Sequence, residues 1–308
     1  MTLKDALARG PVARVTIAEV RGSAPREVGA AMWVWEGGQE GTIGGGTLEY
    51  EATQAALNFV GRGSPRRPAK ATKHALGPDL GQCCGGAVTL VTEILTEIPR
   101  GLRAIALSDR APTLAVERAK QQLRNGTAPA RILLVDGWMV EMPETPSQEI
   151  WIWGAGHVGR ALTAVLAPFP ACSLTWIDTA PDRFPAIPDG ITQISAARPE
   201  VLMAHAPEDA HHFILTYSHD LDLALCDAAL RRGFASCGLI GSATKWARFR
   251  KRLSAAGHGG AEISRIACPI GDPALGKHPQ AIAVSVAHGL LSSDVRQGEL
   301  RDDRSSHA

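Results

Sequence analysis

Gly81-Gln82-Cys83-Cys84-Gly85-Gly86 sets two adjacent thiols in a glycine-rich stretch. There the backbone can turn sharply, and little side-chain bulk surrounds the sulfur. Such a thiolate can meet a soft ligand, a metal or a cofactor brought from outside. The chain has no CxxC, no HExxH and no second close cysteine pair, so the four-ligand zinc and iron–sulfur frameworks lack their parts. The same dipeptide also reads as two small buried residues at a tight turn, inert as most free cysteines are.

Gly154-Ala155-Gly156-His157-Val158-Gly159 matches GxGxxG, between an apolar strand pattern and a helical one, with Asp178 at the end of the following strand. In that context Gly154 permits the tight turn, Gly156 lets a pyrophosphate reach the helix N-terminus and Gly159 allows close helix-to-sheet packing. Asp178 can accept from a ribose hydroxyl. The fold demands the same glycines without any ligand, so the fingerprint predicts a Rossmann-type domain more firmly than a bound nucleotide.

Gly41-Thr42-Ile43-Gly44-Gly45-Gly46, directly before a helical pattern, is a second candidate anion site. Its consecutive N–H groups could cradle a phosphate, with Thr47 as the helix cap, or the loop could be a plain hairpin connection. It lacks the GK[ST] of a Walker loop. Arg26, in the turn Gly22-Ser23-Ala24-Pro25-Arg26-Glu27, could grip a phosphate or pair in solvent. Of ten histidines, His219 is the acid–base candidate. With Asp220 it follows the carboxyl end of a strand, where open α/β sheets place ligands, although a plain helix start with Asp220 as the cap explains the pair slightly better. No GxSxG elbow supports hydrolysis.

The elements that must hold these residues are legible in outline. Val15 to Val20 and Ala30 to Trp35 read as strands, the second followed by the Gly37-Gly38 turn. The helix after the glycine loop places Leu48, Ala52, Ala55 and Phe59 on one face. Arg62 to Pro68 is a polar connection, and Ala87 to Leu95 a strand just past the cysteines. A helix over 112–123 and a hairpin at Asp136-Gly137 complete this half. Pro143 to Gln148 breaks the periodicity and marks a boundary. Beyond it, strands at 150–153, 174–177, 213–216 and 238–240 alternate with helices at 158–166, 221–232 and 244–256, the signature of a parallel sheet covered on both faces. A last helix over 279–291 starts with proline. The fold class is therefore α/β: a mixed α+β domain over 1–146, a Rossmann-type parallel-sheet domain over 147–296 and a polar, disordered tail over 297–308.

At 308 residues, two domains are the expectation. With 45% hydrophobic and 20% charged residues and a net charge of +1, nothing favours nucleic acid or an anionic membrane surface as a partner. The first ten residues read as an amphipathic helix without the apolar core of a signal peptide, and no apolar run is long enough to cross a bilayer. Six cysteines without an export signal point to the reducing cytoplasm. A homodimer is the expectation for an oligomer.

Taken together, Gly22 to Arg26, Gly41 to Gly46 with Leu48-Glu49, Gln82 to Gly86, Gly154 to Gly159, and Leu239-Ile240-Gly241-Ser242 with Lys245 and Arg248 resemble the XdhC/CoxI family. The blocks keep the same order over nearly the whole chain. The resemblance implies a non-enzymatic accessory protein that binds molybdenum cofactor (molybdopterin). It would protect that cofactor while a cysteine desulfurase supplies sulfur, then insert it into apo-xanthine dehydrogenase, an enzyme of purine catabolism. The cysteine before the two glycines maps to Cys84, with a contact to molybdenum through the cofactor, and Cys83 is its companion. Gly85, Gly86, Gly44, Gly45, Gly46 and Arg26 complete that set, and Gly154, Gly156, Gly159 and Asp178 form a nucleotide or phosphate set. The alternative is an NAD(P)-dependent oxidoreductase using the second half, with His219 or Asp220 relaying a proton. An adaptor that has lost cofactor binding is a third reading.

Overall fold

A computed structural model of the chain describes residues 2–61, 69–77, 85–143, 148–186 and 190–305, the stretch 293–305 as backbone only. The predicted connection 62–68 and the cysteine pair Cys83-Cys84 lie outside the described residues. The chain divides into two compact units, Met1–Glu144 and Thr145–Ala308, and each is described by itself.

The first unit opens with α1 (Leu3–Arg9), started by a capping box in which Thr2 and Asp5 exchange side-chain and backbone hydrogen bonds. Strands β1 (Val12–Arg21), β2 (Ala31–Trp35) and β3 (Gly38–Gly41) precede α2 (Gly46–Gly61), which is followed by β4 (Ala69–Ala75) and β5 (Ala87–Leu95). The five strands form an antiparallel sheet in the order β3-β2-β1-β5-β4. Alternate residues Ala13, Val15 and Ile17 of β1 meet Leu48, Ala52 and Ala56 of α2 across the core. The helix thus presents Ala56 to the sheet where the sequence predicts Ala55, which is exposed. It begins at Gly46, so Thr47 lies inside the first turn and is not its cap.

A smaller sheet, β6-β8-β7, follows, from β6 (Arg103–Ala106), β7 (Ile132–Val135) and β8 (Trp138–Glu141), with α3 (Leu114–Arg124) packed on it. Its hairpin turns through Asp136 and Gly137, both at positive φ (49° and 82°), as a two-residue turn matched to strand twist requires. Four charged side chains tie the two sheets together. Arg14 of β1 lies 3.2 Å from Glu93 of β5 and 2.8 Å from Glu141 of β8, and Arg103 of β6 also bonds both carboxylates. Burial pushes both carboxyls up. At Glu141 the bonds from Arg14 and Arg103 outweigh it and hold the group low, whereas Glu93 stays raised.

The second unit runs β9 (Gln148–Trp153), α4 (His157–Leu166), β10 (Cys172–Asp178), β11 (Thr192–Ser195), β12 (His211–Ile214), α5 (His219–Arg232), β13 (Ser236–Leu239), α6 (Ala243–Ala255), α7 (Gly260–Ile263), β14 (Ile266–Ala267) and α8 (Pro279–Ser305). Its six strands are parallel, in the order β11-β10-β9-β12-β13-β14. Side chains of β9 alternate between two apolar layers. Ile150 and Ile152 join the layer of α4 and α8, while Trp151 and Trp153 join that of α5 and α6. That double burial is why the strand reads as an unbroken apolar run. His212 is buried against the two tryptophans, accepts from Trp153 Nε1 at 3.2 Å, and is pushed down to about 4 by burial. The last helix continues through Gln297 to Ser305, in place of the predicted disordered tail. No proline interrupts 280–305, and Gln297, Glu299, Leu300, Arg301 and Arg304 are good helix formers.

Candidate functional site

In the first unit, three of the sequence blocks meet. The turn Gly22–Arg26 leaves the end of β1. Gly86, just before β5, lies so close beneath it that a Cβ there would fall 2.6 Å from the Arg21 carbonyl and 2.2 Å from that of Ser23. On its other flank, a Cβ on Gly44 would fall 2.6 Å from Cγ of Pro25. Gly44 also has a φ of +119°, which side chains rarely adopt. These glycines are demanded by packing. Gly45 and Gly85 differ: a Cβ at either would meet nothing within 4 Å. Cys84 directly precedes Gly85 in the sequence and lies outside the described residues.

The glycine loop already holds an anion of its own. The Glu49 carboxylate, in the first turn of α2, accepts from the backbone N–H of Ile43 at 2.9 Å and of Gly45 at 3.0 Å, and from the Thr42 hydroxyl. Burial pushes the Glu49 carboxyl up, but these bonds outweigh it and hold the group below its usual range. The N–H groups of Ile43 and Gly45, expected to face a phosphate, are therefore engaged from within. Arg26 is likewise engaged, bonding Glu27 through Nε at 3.1 Å and Nη2 at 2.8 Å. The arginine's hydrogen bonds hold Glu27 down at about 2. The sequence signal for Glu49 is an acid in the first turn of the helix that follows the glycines.

In the second unit the fingerprint sits at the carboxyl end of β9, between β10 and β12, the switch point of the sheet. Its glycines sort into separate duties. Gly154, at φ +118°, would place a Cβ 2.5 Å from the Leu215 carbonyl, and Gly159 would place one 2.0 Å from the Gly154 carbonyl. Gly156 has an ordinary φ of −74° at the start of α4 and open space where a Cβ would go. Asp178 is only 4% exposed. Its Oδ2 accepts from Ala155 N–H at 2.6 Å, its Oδ1 accepts from Thr179 N–H at 2.6 Å, and Arg183 Nε lies 2.8 Å from Oδ1. Burial raises this carboxyl, and the bonds from Ala155 and Thr179 more than reverse that. The expected ribose acceptor thus ties the glycine loop to β10. Arg183 continues outward, its guanidinium 4.5 Å from the centre of the exposed Tyr217 ring beyond β12.

His219 and Asp220 are both exposed in the first turn of α5, and Asp220 pairs with Arg252 at 3.2 Å. Ser218, not Asp220, caps the helix, accepting from Leu221 N–H. The charged pair the sequence did not single out for chemistry is Asp222 with Lys245. Asp222 is buried and Lys245 half-buried; Asp222 accepts from Thr216 N–H and hydroxyl, and Lys245 also donates to the Ile240 carbonyl at 2.9 Å. Together they lock the β12–α5 and β13–α6 loops. Among the described residues no group of three or more His, Cys, Asp or Glu side chains could hold a metal ion, and no helix is long and apolar enough to cross a membrane.

Comparison with known proteins agrees with this division. The XdhC and CoxI family model matches residues 6–70, and the XdhC Rossmann domain model matches residues 150–290. The chain is 24% identical over 289 residues to the uncharacterized protein YqeB of Escherichia coli, covering 91% of this chain and 43% of that one. It is 26% identical over 296 residues to the molybdenum cofactor insertion chaperone PaoD of Escherichia coli, covering 92% and 84%. A crystallised protein of Bacillus halodurans, described as a xanthine dehydrogenase, shares the fold over 94% of both chains, with a TM-score of 0.61 at 18% identity.

Proposed function

Because the chain belongs to the XdhC and CoxI family, we propose that it is a molybdenum cofactor chaperone rather than an enzyme. It would take up the cofactor, shelter it during sulfuration by a cysteine desulfurase and deliver it to apo-xanthine dehydrogenase, acting in the cytoplasm as a homodimer. The naming of PaoD as a molybdenum cofactor insertion chaperone supports the general role. The observation that carries the reading is the convergence of Gly22–Arg26, Gly44 and Gly86, three of the family's sequence blocks, in one cluster; Cys84 stands two residues before Gly86 in the sequence.

The residues fit the cargo in kind. A thiolate is a soft donor suited to molybdenum or to a persulfide. The faces of Gly45 and Gly85 are open, and the loop between Thr42 and Gly46, ordered by Glu49, would wall the site. Cys84 would hold the cargo, Cys83 would assist, and the cluster around Arg26 would orient it. The fingerprint of the second unit would receive a phosphate-bearing group at Gly156, whose outer face is open. That open face also favours the second reading, an NAD(P)-dependent oxidoreductase, in which His219 would move the proton.

The test is cofactor stoichiometry after gel filtration of protein prepared anaerobically. Cys84→Ala should lose most of the bound molybdenum cofactor, with Cys83→Ala less affected. Equal retention in Cys84→Ala and the parent would refute the assignment. Apo-xanthine dehydrogenase supplied with cofactor, a cysteine desulfurase and this protein should regain more activity than without it, independently of His219. Substrate-dependent NADH formation abolished by His219→Ala would establish the second reading instead.

A further inference from the structure

We infer that the first unit carries another ligand cavity, shaped for a small planar ring bearing a carboxylate or phosphate. A hollow of about 320 Å³ opens between α3 and the β6-β8-β7 sheet, lined among others by Leu102, Pro112, Arg103, Lys120, Arg124 and Trp138. Its size lies at the lower end of the roughly 300–1,000 Å³ span of small-molecule sites.

Three cations and one aromatic ring face a space lined by no acid. Arg103 is held on its inner side, Nε by Glu141 and Nη2 by Glu93, so the guanidinium is fixed and Nη1 is not taken by either carboxylate. The two arginines and two glutamates of that network balance in charge. Lys120 and Arg124 lie one helical turn apart on the same face of α3, an arrangement in which like charges repel. Glu117, 2.7 Å from Lys120, offsets one of them. Arg124 has no acidic partner among the described residues, so the wall keeps a net positive charge that an anion would neutralise. Trp138 donates through Nε1 to the Arg110 carbonyl at 3.1 Å, which fixes the plane of the indole for stacking.

The cavity is distinct from the cluster at Gly22–Arg26. Arg103 reaches it from the network around Arg14, near the start of β1, whereas the cluster leaves the strand's far end at Arg21. At about 3.3 Å per residue, those two points on β1 lie roughly 20 Å apart. The inference does not rest on the cofactor reading.

Calorimetric titration of the full chain tests it, with pterin-6-carboxylate, neutral pterin and inorganic phosphate as probes. The parent should bind pterin-6-carboxylate saturably, and the other two at least tenfold more weakly. Arg124→Glu, an exposed change, should weaken pterin-6-carboxylate by about tenfold or more and leave neutral pterin little changed. Trp138→Leu should weaken both ring probes by about fivefold or more, as loss of base stacking does, with circular dichroism confirming its fold. Absence of saturable binding, equal binding by Arg124→Glu, or phosphate binding as tight as that of the ring anion would each overturn the inference.

Discussion

Gly156 and Gly159 lie three residues apart in the same fingerprint, yet adding a side chain should act on different quantities at the two. At Gly159 a methyl group would sit 2.0 Å from the Gly154 carbonyl oxygen, against ordinary contacts of about 3.5 Å or more. The obstacle is backbone, so the loop or the helix must shift. Overpacking of this kind costs about 1–3 kcal/mol. The same oxygen accepts from Trp176 Nε1 at 3.1 Å, and disturbing that bond adds about 1 kcal/mol. Replacing a helical glycine by alanine returns roughly 0.5–1 kcal/mol. Gly159→Ala should therefore destabilise by about 1–3.5 kcal/mol, which at about 2–4 °C per kcal/mol lowers the Tm by roughly 2–14 °C. Gly156→Val meets open space at an ordinary φ and should cost no more than about 1 kcal/mol as a poorer helix cap. It should instead weaken whichever phosphate-bearing ligand approaches α4, by tenfold or more. Thermal unfolding followed by circular dichroism, with calorimetric titration of NAD, NADP and molybdenum cofactor, separates the two effects. Unchanged binding of every ligand by Gly156→Val would mean that the fingerprint serves packing alone, and a Gly159→Ala as stable as the parent would refute the steric reasoning.

Glu141→Gln should destabilise the first unit by about 3 kcal/mol, because it leaves buried Arg14 and half-buried Arg103 short of a counter-charge; urea unfolding checks this, and a loss under 1 kcal/mol would show that the network relaxes. Asp178 has a folded-state pKa below its unfolded value, so its stabilisation is present above about pH 4 and lost as pH falls through the folded value. Asp178→Asn should lack that acid dependence, and the stability gap between parent and variant, measured by denaturation from pH 7 to pH 3, should narrow; a constant gap would show that the carboxylate's charge is immaterial.

The second unit was the more legible because its signals are local. Gly154, Gly156 and Gly159 answer constraints set within one strand–loop–helix, and β9 and β10 announce double burial by apolar runs. In the first unit β4 was not predicted. Its residues Ala-Lys-Ala-Thr-Lys-His-Ala carry little apolar pattern, and the strand exists by pairing with β5 along Ala69 to Ala75. The short β6, β11 and β14 likewise depend on neighbours distant in sequence. At the site, the residue types were readable and their partners were not. The spacing of Gly44 does not say that Pro25 lies against it, nor does Gly86 name the carbonyls of Arg21 and Ser23.

Both glycine loops illustrate why an anion site is hard to assign from glycines. A run of glycines allows backbone N–H groups to converge, but it does not determine whether the anion they meet comes from solution or from the chain. Here Glu49 meets the amides of Ile43 and Gly45, and Asp178 meets that of Ala155. Each carboxylate is fixed by further bonds, to Thr42 and Gln39 in one case and to Thr179 in the other. The internal acids order the loops before any ligand arrives, which lowers the conformational cost of binding. Among the glycines of these blocks, Gly45, Gly85 and Gly156 have nothing within 4 Å of an added Cβ. Under the proposed function, a ligand of these loops would be recognised by the shape of an ordered wall and by the groups proposed beside it, Cys84 in the first unit and the start of α4 in the second.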